Sequence, residues 1–179
     1  MITVGKFSAY KVQLASIPEG KHEQEFVCDT QFFKNMENDD VINSDVKVHL
    51  DLENRNGLYD LKFTLKGIVQ VPCDRCLDPI DIEVDTTYDI KVEYGDSYDD
   101  ASDDLLIIPA ANPYLNVSYM LYDTILLSIP MRHVHPLGKC NRAMVSALSK
   151  HKARGDADEE DMVDTSIGLD DADDVPAED

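Results

Sequence analysis

Two long runs of alternating apolar and polar residues, joined by a short turn, constrain the fold of this chain more than any other feature. The first run, from Asp45, puts four apolar residues on one face: Val46, Val48, Leu50 and Leu52. The second run does the same with Leu61, Phe63 and Leu65. Between them, Asn56-Gly57 suits the positive φ angles of a tight hairpin turn. The pattern predicts an antiparallel hairpin with one buried face, and Gly67 in the second run suggests a bulge or a bend.

The predicted fold also includes β segments at residues 10–14 and 25–28, a strand after the cysteine pair, and two helices. The stretch "VPCDRCLDPIDIEV", Val71 to Val84, predicts another hairpin with its two cysteines at or near the tip. From Asn116 the apolar period becomes helical, with Asn116 as candidate N-cap and Pro130 as the stop. A short helix is predicted from about Arg142 to Lys150. We therefore expect an α+β fold: a mainly antiparallel β-sheet or partial barrel, one core helix and a short C-terminal helix, all in one domain over residues 1–154.

Charge is distributed unevenly along the chain. The sequence has 36 acidic and 16 basic residues, a formal net charge of −20. Residues 156–179 contain twelve acids and no Lys or Arg, which predicts a disordered acidic tail over 155–179. Directly before it, Met131 to Arg154 holds six Lys or Arg residues and no acid. The overall charge opposes binding to phosphate backbones, so only this basic stretch favours such a partner.

The cysteine usage and the hydropathy favour a cytoplasmic protein without a membrane segment. Four cysteines (Cys28, Cys73, Cys76 and Cys140) are too few for a disulfide scaffold of this length. The opening residues do not form a secretory signal, and the longest apolar run is too short to span a bilayer. In a reducing compartment, a Cys-x-x-Cys pair more often binds a metal or performs redox chemistry than forms a structural disulfide.

Further candidate metal ligands lie far downstream of the Cys-x-x-Cys pair. Cys73 and Cys76 have the spacing at which two thiolates from one turn reach one tetrahedral ion. The segment "MRHVHPLGKCN" offers His135 and Cys140 to complete a zinc shell, with His133 as a substitute for His135. Two alternatives remain open at this point. The cysteines could simply pack as small apolar residues, or they could form a redox pair, although a β segment and not a helix follows them.

The sequence lacks four common enzyme motifs. The phosphate-binding and dinucleotide-binding glycine loops, the His-Glu-x-x-His metalloprotease motif and the Gly-x-Ser-x-Gly nucleophile elbow are all absent from the sequence. We therefore expect a non-enzymatic protein. The alternative is a thiol-redox or other small cytosolic enzyme that uses the Cys-x-x-Cys pair.

Two segments, in order, resemble the YceD family of bacterial and plastid proteins. The first is "CDRCL", which matches a Cys-x-Arg-Cys-Leu motif, and the second is "DTILLSIPMRHVHPLGKC", in which Val134, His135 and Cys140 are the matching positions. The resemblance makes His135 a better ligand candidate than His133. It also implies a role in accumulation of 23S ribosomal RNA and in assembly of the large ribosomal subunit, without enzymatic activity.

Four basic residues are candidate contacts for a partner: Arg75, Arg132, Lys139 and Arg142. The partner implied by the resemblance is ribosomal RNA. The excess of acidic residues suggests a second candidate, a basic large-subunit ribosomal protein that an acidic chain could shield before assembly. Arg75 is equally well explained by a salt bridge to nearby acids. The acidic tail is equally well explained as a solubilising segment. The oligomeric state is left open by the sequence.

Overall fold

The computed structural model describes residues 5–100, 102, 104–136 and 138–151. In chain order, the strands are β1 (Lys11–Val12), β2 (Gly20–Asp29), β3 (Asn43–Arg55), β4 (Leu58–Pro72), β5 (Pro79–Gly95), β6 (Leu105–Pro109) and β7 (Leu115–Asn116). The helices are α1 (Thr30–Asn35), α2 (Ser118–Ser128) and α3 (Arg142–His151). Two short 3₁₀ turns, Ser8–Tyr10 and Leu14–Ser16, flank β1. The acidic tail predicted over 155–179 lies outside the described residues.

Most of the chain forms one sheet of five strands in the order β2-β3-β4-β5-β6. β2 to β5 pair as antiparallel neighbours, whereas β6 runs parallel to β5. β1 and β7 pair separately in a small second sheet. The α+β, mainly antiparallel fold is confirmed. In the described part of the chain the large sheet stays open, with β2 and β6 at its edges, and does not close into a barrel.

The hairpin of β3 and β4 confirms the prediction made from the alternating residues. Its turn is Asn56-Gly57, with φ angles of 53° and 86°, between the paired residues Arg55 and Leu58. All seven apolar residues predicted to share a face are buried, none more than 3% exposed. Side chains of this size each stabilise a fold by roughly 1.5–3 kcal/mol when fully buried, so this face is a main part of the core.

Gly67 does not form the bulge that it suggested. The pairing runs unbroken through it, from Val46 on one side to Val84 on the other. The strand backbones instead approach so closely that a Cβ at this position would lie 2.6 Å from the Val46 Cα. It would lie closer still to the carbonyl oxygen of Asp45. Glycine is therefore required here by contact between strands.

The core helix packs against the inner face of the sheet, near β5. Leu121 and Ile125 of α2 are fully buried. The helix begins at Ser118, with Val117 and not Asn116 in the cap position, although the Asn116 side chain accepts a hydrogen bond from the Ser118 N–H at 3.1 Å. It ends two residues before Pro130, as expected for a proline stop.

The C-terminal helix differs from α2 in its burial. α3 occupies the predicted position, yet it has no buried residue. None of the described helices is long and apolar enough to cross a membrane. Because packing does not hold α3 onto the sheet, its placement depends on the segment that connects it to α2.

Candidate metal centre

The tip of the β4–β5 hairpin is a compact turn that carries Cys73 and Cys76. The Cys73 N–H donates to the Asp78 carbonyl and the Leu77 N–H donates to the Cys73 carbonyl, both at 2.9 Å. Leu77 adopts φ = 63°, a left-handed conformation that costs energy for a residue with a side chain. The turn therefore curls back on itself, and both cysteine side chains are buried, at 0% and 1% exposed.

The Cys73 sulfur is surrounded by backbone hydrogen-bond donors. Burial alone would raise the pKa of this thiol, but hydrogen bonds from the backbone of Arg75, His135 and Cys76 outweigh burial and lower the pKa to about 6. Donors aimed at a sulfur stabilise its thiolate. Because the thiolate is the form that binds metals, this turn is prepared for a cation at neutral pH.

The loop between α2 and α3 brings His135 and Cys140 to the same turn. His135 Nδ1 lies 3.4 Å from the Cys76 sulfur and 4.0 Å from the Cys140 sulfur. The other ring nitrogen, Nε2, lies 3.1 Å from the Pro79 carbonyl, to which it donates. This second bond orients the ring and turns Nδ1 toward the sulfurs. Metal-binding histidines are oriented by the same kind of bond.

The four side chains form a group suited to one tetrahedral ion. The ligand atoms of Cys73, Cys76, His135 and Cys140 all lie within 4.8 Å of one another. A zinc ion with bonds of about 2.0–2.3 Å holds its ligands roughly 3.4–3.8 Å apart, so only a small contraction is needed. Three thiolates and one imidazole are a donor set that Zn²⁺ favours.

His133, the substitute ligand, lies outside this group. Its ring Nδ1 lies 3.1 Å from the Pro130 carbonyl, and its Nε2 lies 3.4 Å from a carboxylate oxygen of Asp74. Its backbone also pairs with Asp74: the His133 N–H donates to the Asp74 carboxylate at 2.7 Å, and the Asp74 N–H donates to the His133 carbonyl at 3.0 Å. His133 thus ties the downstream loop to the hairpin tip.

Asp74 is the residue of this site that the sequence analysis missed. It occupies the first variable position of the Cys-x-x-Cys turn, where spacing rules specify no residue type. Only its contact with His133, 59 residues away, shows its role. Any acid in a chain with 36 of them would have looked the same in the sequence.

We expect Asp74→Ala to weaken zinc binding by about 10-fold to 100-fold, the usual effect of losing a group that positions metal ligands. The substitution removes the carboxylate that holds the His133 N–H, so the loop carrying His135 and Cys140 loses a link to the hairpin tip. Competition with a chromogenic chelator measures the change. Asp78→Ala is the matched control, because Asp78 contributes its backbone carbonyl to the turn. Equal losses in both variants would show that the Asp74 carboxylate does not position the ligands.

The lowered pKa of Cys73 also predicts a pH dependence for the metal-free protein. A thiol with a folded pKa of about 6 and an ordinary value of 9.0 contributes stability that is full above pH 9 and lost as the pH falls to about 6. The pKa of His135 is raised by its hydrogen bond to Cys76, so its contribution to stability is lost as the pH rises. The wild type should therefore have a larger unfolding free energy than Cys73→Ala, and the difference should grow from pH 6 to 9. A flat difference in chelator-treated samples would contradict the assignment.

The four predicted partner contacts lie around this cluster. Arg75 is within the Cys-x-x-Cys turn and is half-buried, whereas Arg132, Lys139 and Arg142 are exposed. Each is within three residues of a cluster member, and three residues span at most roughly 10 Å. The structure therefore gathers these cations at one end of the molecule, which we call the basic end: Arg75, Arg132, Lys139 and Arg142.

The fold and the site together define a class of protein. It is an α+β protein in which a four-residue Cys/His cluster joins the tip of an antiparallel hairpin to a C-terminal helix. The family model described as "Large ribosomal RNA subunit accumulation protein YceD" matches residues 61–171, well over half of the chain and all four cluster residues. The chain belongs to the YceD family. No curated protein and no solved structure matches it.

Proposed function

We propose that the protein supports accumulation of large-subunit ribosomal RNA in the cytoplasm as a non-enzymatic binding factor that contacts the RNA through the basic end. In this proposal Cys73, Cys76, His135 and Cys140 hold one structural Zn²⁺. The observation that carries it is the convergence of these four ligand atoms within 4.8 Å at the point where the basic residues gather. Membership in a family described by ribosomal RNA accumulation supports the choice of partner.

A structural ion suits this donor set better than a catalytic one. Four protein ligands fill a tetrahedral shell, whereas catalytic zinc sites keep one position for water or substrate. The remaining chemistry belongs to the chain: backbone donors stabilise the Cys73 thiolate, and the Pro79 carbonyl orients His135. The ion would supply a cross-link between residues that are far apart in sequence.

A thiol-redox enzyme is the alternative that the low pKa of Cys73 would also suit. A redox thiol must be reached by its substrate, yet Cys73 and Cys76 are both buried. Two further ligand side chains, His135 and Cys140, also face the pair. These observations favour the metal site. Alkylation separates the two functions: thiols that react only after chelation belong to a metal site, and thiols that react equally fast before chelation belong to a redox site.

The cross-link would place the basic end for RNA binding. α3 has no buried residue, so the cluster is the nearest fixed point for Lys139 and Arg142. From Met131 to His151 the chain carries no acid. Attraction to phosphates acts over about 8 Å at physiological salt, so a local group of cations can bind RNA although the whole chain is negative.

The salt dependence of RNA binding tests this assignment. For a fragment of large-subunit ribosomal RNA, we expect Lys139→Ala combined with Arg142→Ala to reduce the slope of log affinity against log salt by about 2, one for each lost phosphate contact. The control combines Lys47→Ala with Lys62→Ala, which makes the same change in net charge on the exposed face of the sheet. Fluorescence anisotropy across a salt series gives both slopes. Equal reductions in the two double variants would show that only overall charge matters.

A further inference from the structure

A second surface of the molecule carries the opposite charge to the basic end. A groove of about 800 Å³ runs between α2 and the inner face of β5. Its lining includes three tyrosines, two aspartates and a leucine: Tyr88, Tyr98, Asp100, Tyr119, Asp123 and Leu127. We call this surface the acidic groove.

The acidic groove exposes apolar and aromatic side chains to solvent. Tyr98 is 59% exposed, Tyr119 61% and Leu127 86%. The Tyr119 ring also contacts Phe7, with 6.1 Å between the ring centroids. A large exposed leucine beside two exposed tyrosines is a common composition for a protein-binding surface.

The charge of the groove selects the kind of partner. Among the described residues, its lining includes Asp100 and Asp123 and contains no Lys, Arg or His. Asp100 accepts a hydrogen bond from the Tyr98 hydroxyl at 3.2 Å, and no cation within the described residues pairs with either carboxylate. The loop that carries Asp100 also contains Asp96 and Asp99, which add to the negative potential. Such a surface repels nucleic acid and attracts cationic groups.

We propose that the acidic groove binds a lysine- and arginine-rich segment of a basic protein. Guanidinium and ammonium groups pair with the Asp100 and Asp123 carboxylates and stack on the tyrosine rings. Their aliphatic stems cover Leu127. Taking this basic protein to be a ribosomal protein rests on the proposed function, whereas the chemistry of the segment does not.

The groove and the basic end share no residue, although they come near each other where Leu127 is five residues from Arg132. Tyr88 is nine residues along β5 from Pro79, which begins the strand at the hairpin tip, and nine strand residues span about 30 Å. RNA at the basic end and a basic protein in the groove would therefore not compete for the same residues. The chain would then hold both components of the large subunit side by side.

Peptide binding to the full zinc-loaded chain tests the proposal. The probe is a fluorescein-labelled twelve-residue peptide of repeating Lys-Leu-Arg, measured by anisotropy in about 0.2 M salt to screen long-range attraction. We expect Asp123→Lys to raise the dissociation constant about tenfold and Leu127→Ala to raise it about threefold. Both side chains are exposed on α2, so these variants should fold. Asp89→Lys is the matched control, because Asp89 is next to Tyr88 in sequence but on the opposite face of β5.

Each outcome decides the question. Loss of binding in Asp123→Lys and Leu127→Ala with normal binding in Asp89→Lys supports the groove. Equal loss in Asp89→Lys, or none in any variant, overturns it. A gain of RNA affinity confined to Asp123→Lys would name RNA as the occupant, and a change of oligomeric state in Leu127→Ala would name a second copy. Because Lys139→Ala with Arg142→Ala should leave peptide binding unchanged, failure of the RNA assignment is distinguishable from failure of this one.

Discussion

Purified protein is expected to contain about one zinc ion per chain, and Cys140→Ala to contain almost none. Removal of Cys140 leaves two thiolates and one imidazole, an incomplete shell that binds zinc far more weakly than four ligands do. Metal analysis by mass spectrometry after dialysis against a mild chelator gives the stoichiometry. Cys28→Ala is the matched control. Cys28 is a fully buried core residue on β2, outside the cluster, so this variant should keep its zinc.

Zinc removal should also have a local effect on stability. The core between the sheet and α2 does not include the cluster, so β3 and β4 should keep their hydrogen-exchange protection. The loop and α3 should lose theirs, because no buried residue of α3 holds it elsewhere. We expect the metal to stabilise this segment by several kcal/mol. If chelation leaves the exchange of residues 131–151 unchanged, or if Cys140→Ala retains full zinc, the cysteines are packing residues.

The strands were predictable because their signal is local. Alternation over Asp45 to Pro72 requires one buried face, and Asn56-Gly57 specifies the turn between the two strands. The parallel pairing of β6 with β5 was not predictable. It depends on the chain turning back after Gly95 to the level of Lys91 before β6 begins, which no short pattern records.

The members of the candidate site were easier to predict than its geometry. Cysteine and histidine types and spacings point to a metal, but nothing in the spacing brings residues 73–76 to residues 135–140. The structure does so through the Asp74 carboxylate and through backbone groups: the Asp74 N–H that donates to His133 and the Pro79 carbonyl that orients His135. Backbone contacts of this kind leave no residue signature. The acidic groove has the same property, because its aspartates come from two distant segments.

Gly67→Ala should destabilise the protein by about 3 kcal/mol, although it adds a single methyl group. The new Cβ would lie 2.6 Å from the Val46 Cα and closer to the Asp45 carbonyl oxygen. Both are backbone atoms of β3, so relief requires the strands to separate where their hydrogen bonds are made. Overpacking in a rigid core commonly costs 1–3 kcal/mol, and the cost is highest where backbone must move. For a chain of this length we expect the melting temperature to fall by about 10 °C.

Gly5→Ala is the control that separates the steric contact at Gly67 from the general effect of replacing a glycine. A Cβ at Gly5 meets no atom within 4 Å, so only the lower entropy of the unfolded chain acts there, and this stabilises by at most about 1 kcal/mol. The same entropy gain applies at Gly67, where it opposes the steric cost. Thermal and urea unfolding of the two variants should therefore give shifts of opposite sign, or no shift at Gly5. A Gly67→Ala protein as stable as the wild type would mean that β3 and β4 are farther apart at this pair, and that glycine stands there for a reason other than strand contact.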